Sequence, residues 1–143
     1  MYLAQFNIAE ALDSMDSPVM ADFINNTDRI NALADAQPGF VWRLKGEYSD
    51  DSYSIKAFDN DLMLVNMSVW KDRQSLFDYV YNTGHVEIFK RRKEWFQKMP
   101  KMHMVLWYVE EDHIPTVDEG IERLEHLREH GESEHAFSFK SNY

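Results

Sequence analysis

The stretch LMLVNMSVW, residues 62–70, decides how this chain is read. It has the composition of a buried β-strand, yet Asn66 and Ser68 sit inside it. Strand side chains alternate between two faces. Met63, Val65, Met67 and Val69 therefore share one face, which reads as core. Leu64, Asn66, Ser68 and Trp70 share the other, apolar at its ends and polar in its middle. Buried amides and hydroxyls need hydrogen-bond partners. Either a ligand cavity supplies them, or the polar side chains pair with one another or across a subunit interface.

Working outward, residues 2–8 read as a strand. Ser17 is an N-cap with Pro18 at the first helical position. Met20, Phe23, Ile24, Thr27, Ile30, Leu33 and Ala34 then recur at helical spacing until Pro38-Gly39. FVWRLK, residues 40–45, is a second strand. The acidic segment GEYSDDSYSIKAFDND is too long for a plain loop, and a short strand is expected over 53–58. Asp72 caps a helix over 73–81, and a further helix is expected over 85–97. MHMVLWYV, residues 102–109, is a fourth strand. Thr116 and Glu119 form a capping box for a last helix that Gly131 closes.

The order β-α-β-β-α-β with an added helix predicts one α+β domain over residues 1–143. It is the ferredoxin-like split βαβ arrangement, an antiparallel sheet with helices on one face. The other face would be bare in a monomer and would expose Trp70 and Leu64. Two sheets packed face to face as a homodimer would cover it and leave room for a pocket.

The formal net charge of −10 argues against nucleic acid and anionic membranes as partners. The absence of cysteine excludes disulfide and thiolate chemistry. No apolar run reaches the length of a membrane span and no signal peptide is visible, so a cytoplasmic protein is expected. A Gly-rich phosphate loop, a GxSxG elbow and an HExxH pair are all missing from the sequence. Nucleotide hydrolysis, serine hydrolysis and zinc peptidase chemistry therefore find no support.

Candidate site residues follow from the strand faces. Gln5 and Asn7 lie opposite the core face of the first strand and join Asn66 and Ser68. His103 is expected on the polar face at the start of the fourth strand. His85 follows Gly84 at a helix start, where a neutral imidazole can act as a base or metal ligand, or simply as a cap or contact residue. Arg43, inside a short apolar strand, either snorkels or pairs with an acid or a ligand carboxylate. Trp70, Tyr79 and Trp107 suit the walls of a pocket for a flat aromatic ligand. His126 and His130 are four apart, with His135 beyond, but the apolar stripe Ile121, Leu124, Leu127 turns that pair toward water, and no metal site is assigned. The basic run Lys90, Arg91, Arg92, Lys93 reads as a solvated helix face.

The blocks YLAQFNIA, MADFINNTDRINALADAQPGFVWRL, LVNMSVW, GHVEIFKRRKEWF, MVLWYV, IPTVDEGIERLEHL and AFSF resemble, in this order, bacterial domain-of-unknown-function family 3291. More remotely the topology is similar to the dimeric α+β barrels, which include antibiotic-biosynthesis monooxygenases, haem-degrading monooxygenases and ligand-binding modules. The resemblance implies a homodimer with a small-molecule pocket on the sheet face away from the helices. It implies first a cofactor-independent monooxygenase acting on an aromatic or polyketide-like substrate. In that reading His85 or His103 is the base. Asn7, Asn66 and Gln5 hold substrate oxygens, and Trp70 and Trp107 pack against its rings. Haem-degrading relatives use an asparagine near the end of the first strand, a tryptophan and a helix histidine. Asn7 matches the first, Tyr79 stands where the tryptophan would be, and His85 matches the histidine only approximately. A haem or hydrophobic-ligand binding module is thus the alternative, and a dimer without ligand the third reading.

Overall fold

β1 (Tyr2–Glu10), β2 (Phe40–Arg43), β3 (Met63–Trp70) and β4 (Met104–Val109) form an antiparallel sheet in the order β2-β3-β1-β4. This is the order of the split βαβ arrangement, so the ferredoxin-like α+β reading holds. The computed structural model describes residues 1–46 and 58–143. The strand expected over 53–58 lies, Phe58 apart, outside the described residues.

Local chemistry sets the helix boundaries. α1 (Ala21–Asp35) is entered through a 3-10 turn, Pro18–Met20, in which Ser17 makes no side-chain cap. α2 (Arg73–Asn82) starts at Asp72, whose carboxylate accepts from the Ser75 N–H at 2.8 Å. The backbone and hydroxyl bonds from Ser75 hold the Asp72 carboxyl below its usual pKa. α3 (His85–Lys90) is shorter than the helix expected over 85–97, and a 3-10 turn Arg92–Glu94 follows it. The reason is competition for backbone bonds. The Leu12 N–H donates to the Trp95 carbonyl at 2.7 Å and the Gln97 N–H to the Glu10 carbonyl at 2.9 Å. The chain leaves the helix to pair with the end of β1 and to bury Trp95. α4 (Val117–His130) starts at Thr116, which accepts from the Glu119 N–H at 3.1 Å, and ends at Gly131 with φ 76°. Glycine adopts that left-handed geometry without steric cost.

Both sheet faces are covered within one chain. Ala4, Phe6, Ile8, Val65, Met67, Val69, Val105, Trp107 and Val109 form one core with Leu124 and Leu127 of α4. α4 approaches so closely that a Cβ on Gly120 would stand 2.6 Å from the Phe6 ring. On the opposite face Leu3, Trp70 and Leu106 pack with Ala34 of α1, Leu76 of α2 and Phe137. The expectation that one face is bare and exposes Trp70 and Leu64 therefore does not hold. The added helix packs on the Phe6 face over β4 and β1, with Trp42, Leu44 and Phe58 among the side chains packed on the same core, while α1 and α2 lie over the face that carries Trp70.

The last residues act as a strap rather than a loose tail. Phe137 exchanges two backbone hydrogen bonds with Leu106, at 2.7 and 3.0 Å, and so closes part of the β4 edge. Arg73 donates to the carbonyls of Ser138, Phe139 and Tyr143, tying the strap to α2.

Candidate functional site

Register places the polar residues of the central strands side by side. Gln5 pairs with Ser68 across β1 and β3, Asn7 pairs with Asn66, and Arg43 of β2 pairs with Ser68. All lie on the Trp70 face, under α1 and α2, not away from the helices. Gln5 Nε2 donates to Asn66 Oδ1 at 2.7 Å and to Ser68 Oγ at 3.0 Å. Trp70 Nε1 donates to Ser68 Oγ at 2.8 Å. The row is thus bonded internally from Asn66 to Trp70. It is not sealed: Asn66 is exposed and Asn7 half-buried, although Leu64 and Ser68 beside Asn66 on the same strand face are buried.

Trp70 continues the row into an aromatic stack. Its ring lies 5.1 Å from that of Tyr79 with a 24° interplanar angle, and Tyr79 lies 4.9 Å from the His85 imidazole. His85 is fixed by its own turn. Its Nδ1 is 3.2 Å from the Val80 carbonyl, and its N–H donates to Thr83 Oγ1 at 3.2 Å. A carbonyl only accepts, so Nδ1 carries the proton and Nε2 keeps its lone pair. Burial pushes the His85 pKa down, against the opposing effect of the Val80 bond, so the ring is neutral at pH 7.

Tyr79 donates to the Ile30 carbonyl at 3.3 Å, and burial pushes its phenol well above the ordinary range, partly offset by Arg43. Arg43 is 7% exposed and meets Asp35 through Nε at 2.8 Å and a second guanidinium nitrogen at 3.2 Å. It pairs with an acid, one of the two roles expected of it. Beside it an open depression of about 500 Å³ runs along β2 past Asp35, Phe40 and Trp42.

Two expected members do not join this group. Trp107 is in register with Ala4 and stands on the Phe6 face, where its Nε1 donates to Glu119 Oε2 at 2.9 Å. His103 precedes β4 and is exposed. Val105, Leu106 and Trp107 are all apolar, so alternation alone carries no phase on β4, and only pairing with β1 fixes it. Glu119, expected to complete a capping box, instead binds Trp107 and, at 2.7 Å, His113. Burial pushes the Glu119 carboxyl up, but the bonds from His113 and Trp107 outweigh it and hold it below its usual value.

The outlying histidines and cations are also placed. His126 lies 4.6 Å, ring to ring, from both His130 and His135, and His135 binds Glu122 at 2.9 Å. The three imidazoles are clustered rather than dispersed in water. Among the described residues, however, no group of three or more His, Cys, Asp or Glu side chains has the geometry to hold a metal ion. Arg91 pairs with Glu94 and Asp22 and lies over Trp95 at 4.7 Å, while Arg92 lies over Phe89 at 4.4 Å. Among the described residues no helix is long and apolar enough to cross a membrane.

Sequence reasoning missed Asp35 as the partner of Arg43, and missed the strap. The alternation of Phe137 and Phe139 in AFSF is the signal that would have shown the strap to be packed.

The chain belongs to the family described as a domain of unknown function, DUF3291, whose model matches residues 2–143. No curated protein matches its sequence. Among solved structures it is similar to SnoaB, a cofactor-independent oxygenase from Streptomyces nogalater. The likeness to a SnoaB mutant has a TM-score of 0.54 at 16% identity, over 80% of this chain and 98% of that one. A second SnoaB structure gives 0.54 at 17% identity, over 77% and 94%. At such identity the likeness shows the fold alone.

Proposed function

We propose that this chain is an enzyme of the cofactor-independent oxygenase type, working as a homodimer on an enolisable aromatic small molecule. The observation that carries this reading is Asn66. A mid-strand residue on a helix-covered face stays exposed, and it leads through Gln5 and Ser68 to the Trp70–Tyr79–His85 stack. Small-molecule sites have this character, a mostly apolar wall with a few convergent polar groups. The shared fold with SnoaB supports the reaction type.

His85 takes the part of the base. Its neutral Nε2 removes a proton from an activated C–H, and the carbanion reduces molecular oxygen with formation of a carbon–oxygen bond. For a methylene between two rings, loss of water then leaves a carbonyl: CH₂ and O₂ become C=O and H₂O. Asn66, Asn7 and Gln5 offer amides to the substrate oxygens. Arg43 lies on the same side, but its charge is already met by Asp35 and is not assigned to the enolate. His103 and Trp107, off this face, have no part in it.

The test is oxygen uptake with an anthrone, which carries such a methylene. Wild-type protein should consume oxygen and form the quinone. His85→Gln should abolish turnover while substrate still quenches tryptophan fluorescence, and Asn66→Ala should raise KM. Turnover unchanged in His85→Gln would remove His85 from the base role. No uptake with any enolisable polycycle would remove the oxygenase reading.

A further inference from the structure

Only Thr83 and Gly84 separate α2 from α3, and one hydroxyl holds the joint. Thr83 is extended, at φ −122° and ψ −177°, so α2 stops there. In a continued helix the N–H groups of Thr83 and Gly84 would donate to the Tyr79 and Val80 carbonyls. Neither does, and side chains take their place. Thr83 Oγ1 donates to the Tyr79 carbonyl at 2.6 Å, and His85 Nδ1 donates to the Val80 carbonyl at 3.2 Å. The hydroxyl has a single proton, which the Tyr79 carbonyl takes because a carbonyl only accepts. Its lone pair accepts the His85 N–H at 3.2 Å. One side chain thus ends α2, begins α3 and ties the backbones of Tyr79 and His85, whose rings lie 4.9 Å apart.

We propose that Thr83 is a positioning residue for His85, its hydroxyl holding the imidazole in the tautomer with the proton on Nδ1 and the lone pair on Nε2. That tautomer requires the Val80 carbonyl to stand open within reach of Nδ1. It stands open because the chain turns at Thr83 instead of sending the Gly84 N–H back to it. The hydroxyl secures the turn from both sides, through Tyr79 and through His85. Without it the Tyr79 carbonyl is left unmet, and the Thr83 N–H is the donor that one more helical residue would bring there. The Gly84 N–H then follows toward Val80 and competes with the imidazole. Gly84 is seated against α1, where a Cβ would stand 3.1 Å from Leu33 Cδ1 and 3.2 Å from Arg29 Nη1. The joint therefore stays in place, and what changes is the donor that the Val80 carbonyl accepts. An imidazole that loses this acceptor is no longer held to one tautomer.

Ending α2 does not by itself require a hydroxyl. Valine has the same branched shape as threonine and suits the extended backbone of position 83 equally well. What valine lacks is the bridge between the Tyr79 carbonyl and the His85 N–H. Groups that orient an imidazole from behind act through the residue that does the chemistry. For its effect on turnover the inference rests on the base role proposed for His85; the tautomer itself depends on no reaction.

Long-range proton–nitrogen correlation NMR of the full chain, labelled at histidine, reads the tautomer directly; the His85 signals are those lost in His85→Gln. Above neutral pH the wild type should carry the His85 proton on Nδ1 alone. Thr83→Val and Thr83→Ala should both shift it to a mixture or to the Nε2–H form, and Thr83→Ser should restore the wild-type pattern. With an anthrone as substrate, kcat should fall by roughly ten- to a hundredfold in the valine and alanine variants while KM changes little. A residue that merely caps α2 would lower Tm and leave the tautomer as it was. Amide exchange on the wild type needs no variant: the His85 N–H should be protected and the Gly84 N–H should not. Folded valine and alanine variants that keep the Nδ1–H form would overturn the proposal. So would a wild-type His85 protonated on Nε2, or one whose amide exchanges freely. Absence of turnover in the wild type would strike the oxygenase reading instead, and the tautomer would still decide the role of Thr83.

Discussion

Replacing Ser68 by alanine probes whether the polar row is held together as described. Ser68 Oγ is its junction, accepting from Gln5 Nε2 at 3.0 Å and from Trp70 Nε1 at 2.8 Å. Gln5 keeps a second acceptor, Asn66 Oδ1 at 2.7 Å. Trp70 is 0% exposed, and the bond to Ser68 is the one its indole makes. An orphaned buried donor costs about 1–3 kcal/mol, and the lost Gln5 bond about 0.5–1.5 kcal/mol. Alanine keeps the Cβ, so the void is one oxygen and adds little. Ser68→Ala should then destabilise the protein by about 2–4 kcal/mol, or roughly 6–12 °C at about 3 °C per kcal/mol for a chain of this size. Urea unfolding followed by tryptophan emission measures it. In a Trp70→Phe background no indole N–H is left to orphan, and the same substitution should cost at least about 1 kcal/mol less. A loss under about 1 kcal/mol, or equal losses in the two backgrounds, would refute the reasoning.

Four further outcomes are expected. Oxygen uptake should be flat above neutral pH and fall in acid with an inflection below 6.5, because burial depresses the His85 pKa from that value; an inflection at or above it counts against His85. The same depression makes stability depend on pH. As pH falls past 6.5 the unfolded chain binds the proton first, so stability present above that pH drops until the folded-state pKa is passed, and His85→Gln should remove this part of the acid loss of Tm. Gly120→Ala should destabilise by about 1–3 kcal/mol, since overpacking against the buried Phe6 ring outweighs the roughly 1 kcal/mol helix-propensity gain; a raised Tm would show that Phe6 can move. Asp35→Ala removes the bidentate acceptor of the 7% exposed Arg43 and should cost about 1.5–3 kcal/mol in a denaturant titration, while an unchanged midpoint would mean that the pair contributes nothing.

What the sequence makes legible depends on whether a pattern carries phase. Asn66 and Ser68 stand out in an apolar run, so their shared face and its partners Gln5 and Asn7 can be read without coordinates. Which side of the sheet that face occupies cannot, because period-two alternation is the same seen from either side. The covering element is chosen by the right-handed βαβ crossovers, which put α1 and α2 over one face, and by the added α4, which takes the other. β4 shows the limit more sharply. Val105, Leu106 and Trp107 have no polar member to mark a face, so Trp107 was expected among the site residues and stands behind the sheet. The α3 boundary was lost for a related reason. Trp95 and Phe96 fit a helical stripe, but the backbone there gains more from pairing with the end of β1 than from continuing the helix.

The polar row itself argues for more than structure. A row whose only task is to pair internally gains by being sealed, since hydrogen bonds strengthen as the surrounding dielectric falls. Gln5 and Ser68 meet that condition, at 7% and 8% exposed. Asn66 does not: its carbonyl holds Gln5 while the residue stays open to solvent, and Asn7, its register partner, is half-buried beside it. Valine at position 66 would suit a β-strand better and would close the face. If the row were only a core device, Asn66→Val should be neutral or stabilising in denaturant and leave substrate binding untouched. If Asn66 is the mouth of a ligand site, the same change should break the Gln5 bond, yet its main effect should be loss of binding. The ratio of lost affinity to lost stability therefore separates the two, and a stable Asn66→Val protein that binds and turns over like wild type would end the case for a site on this face.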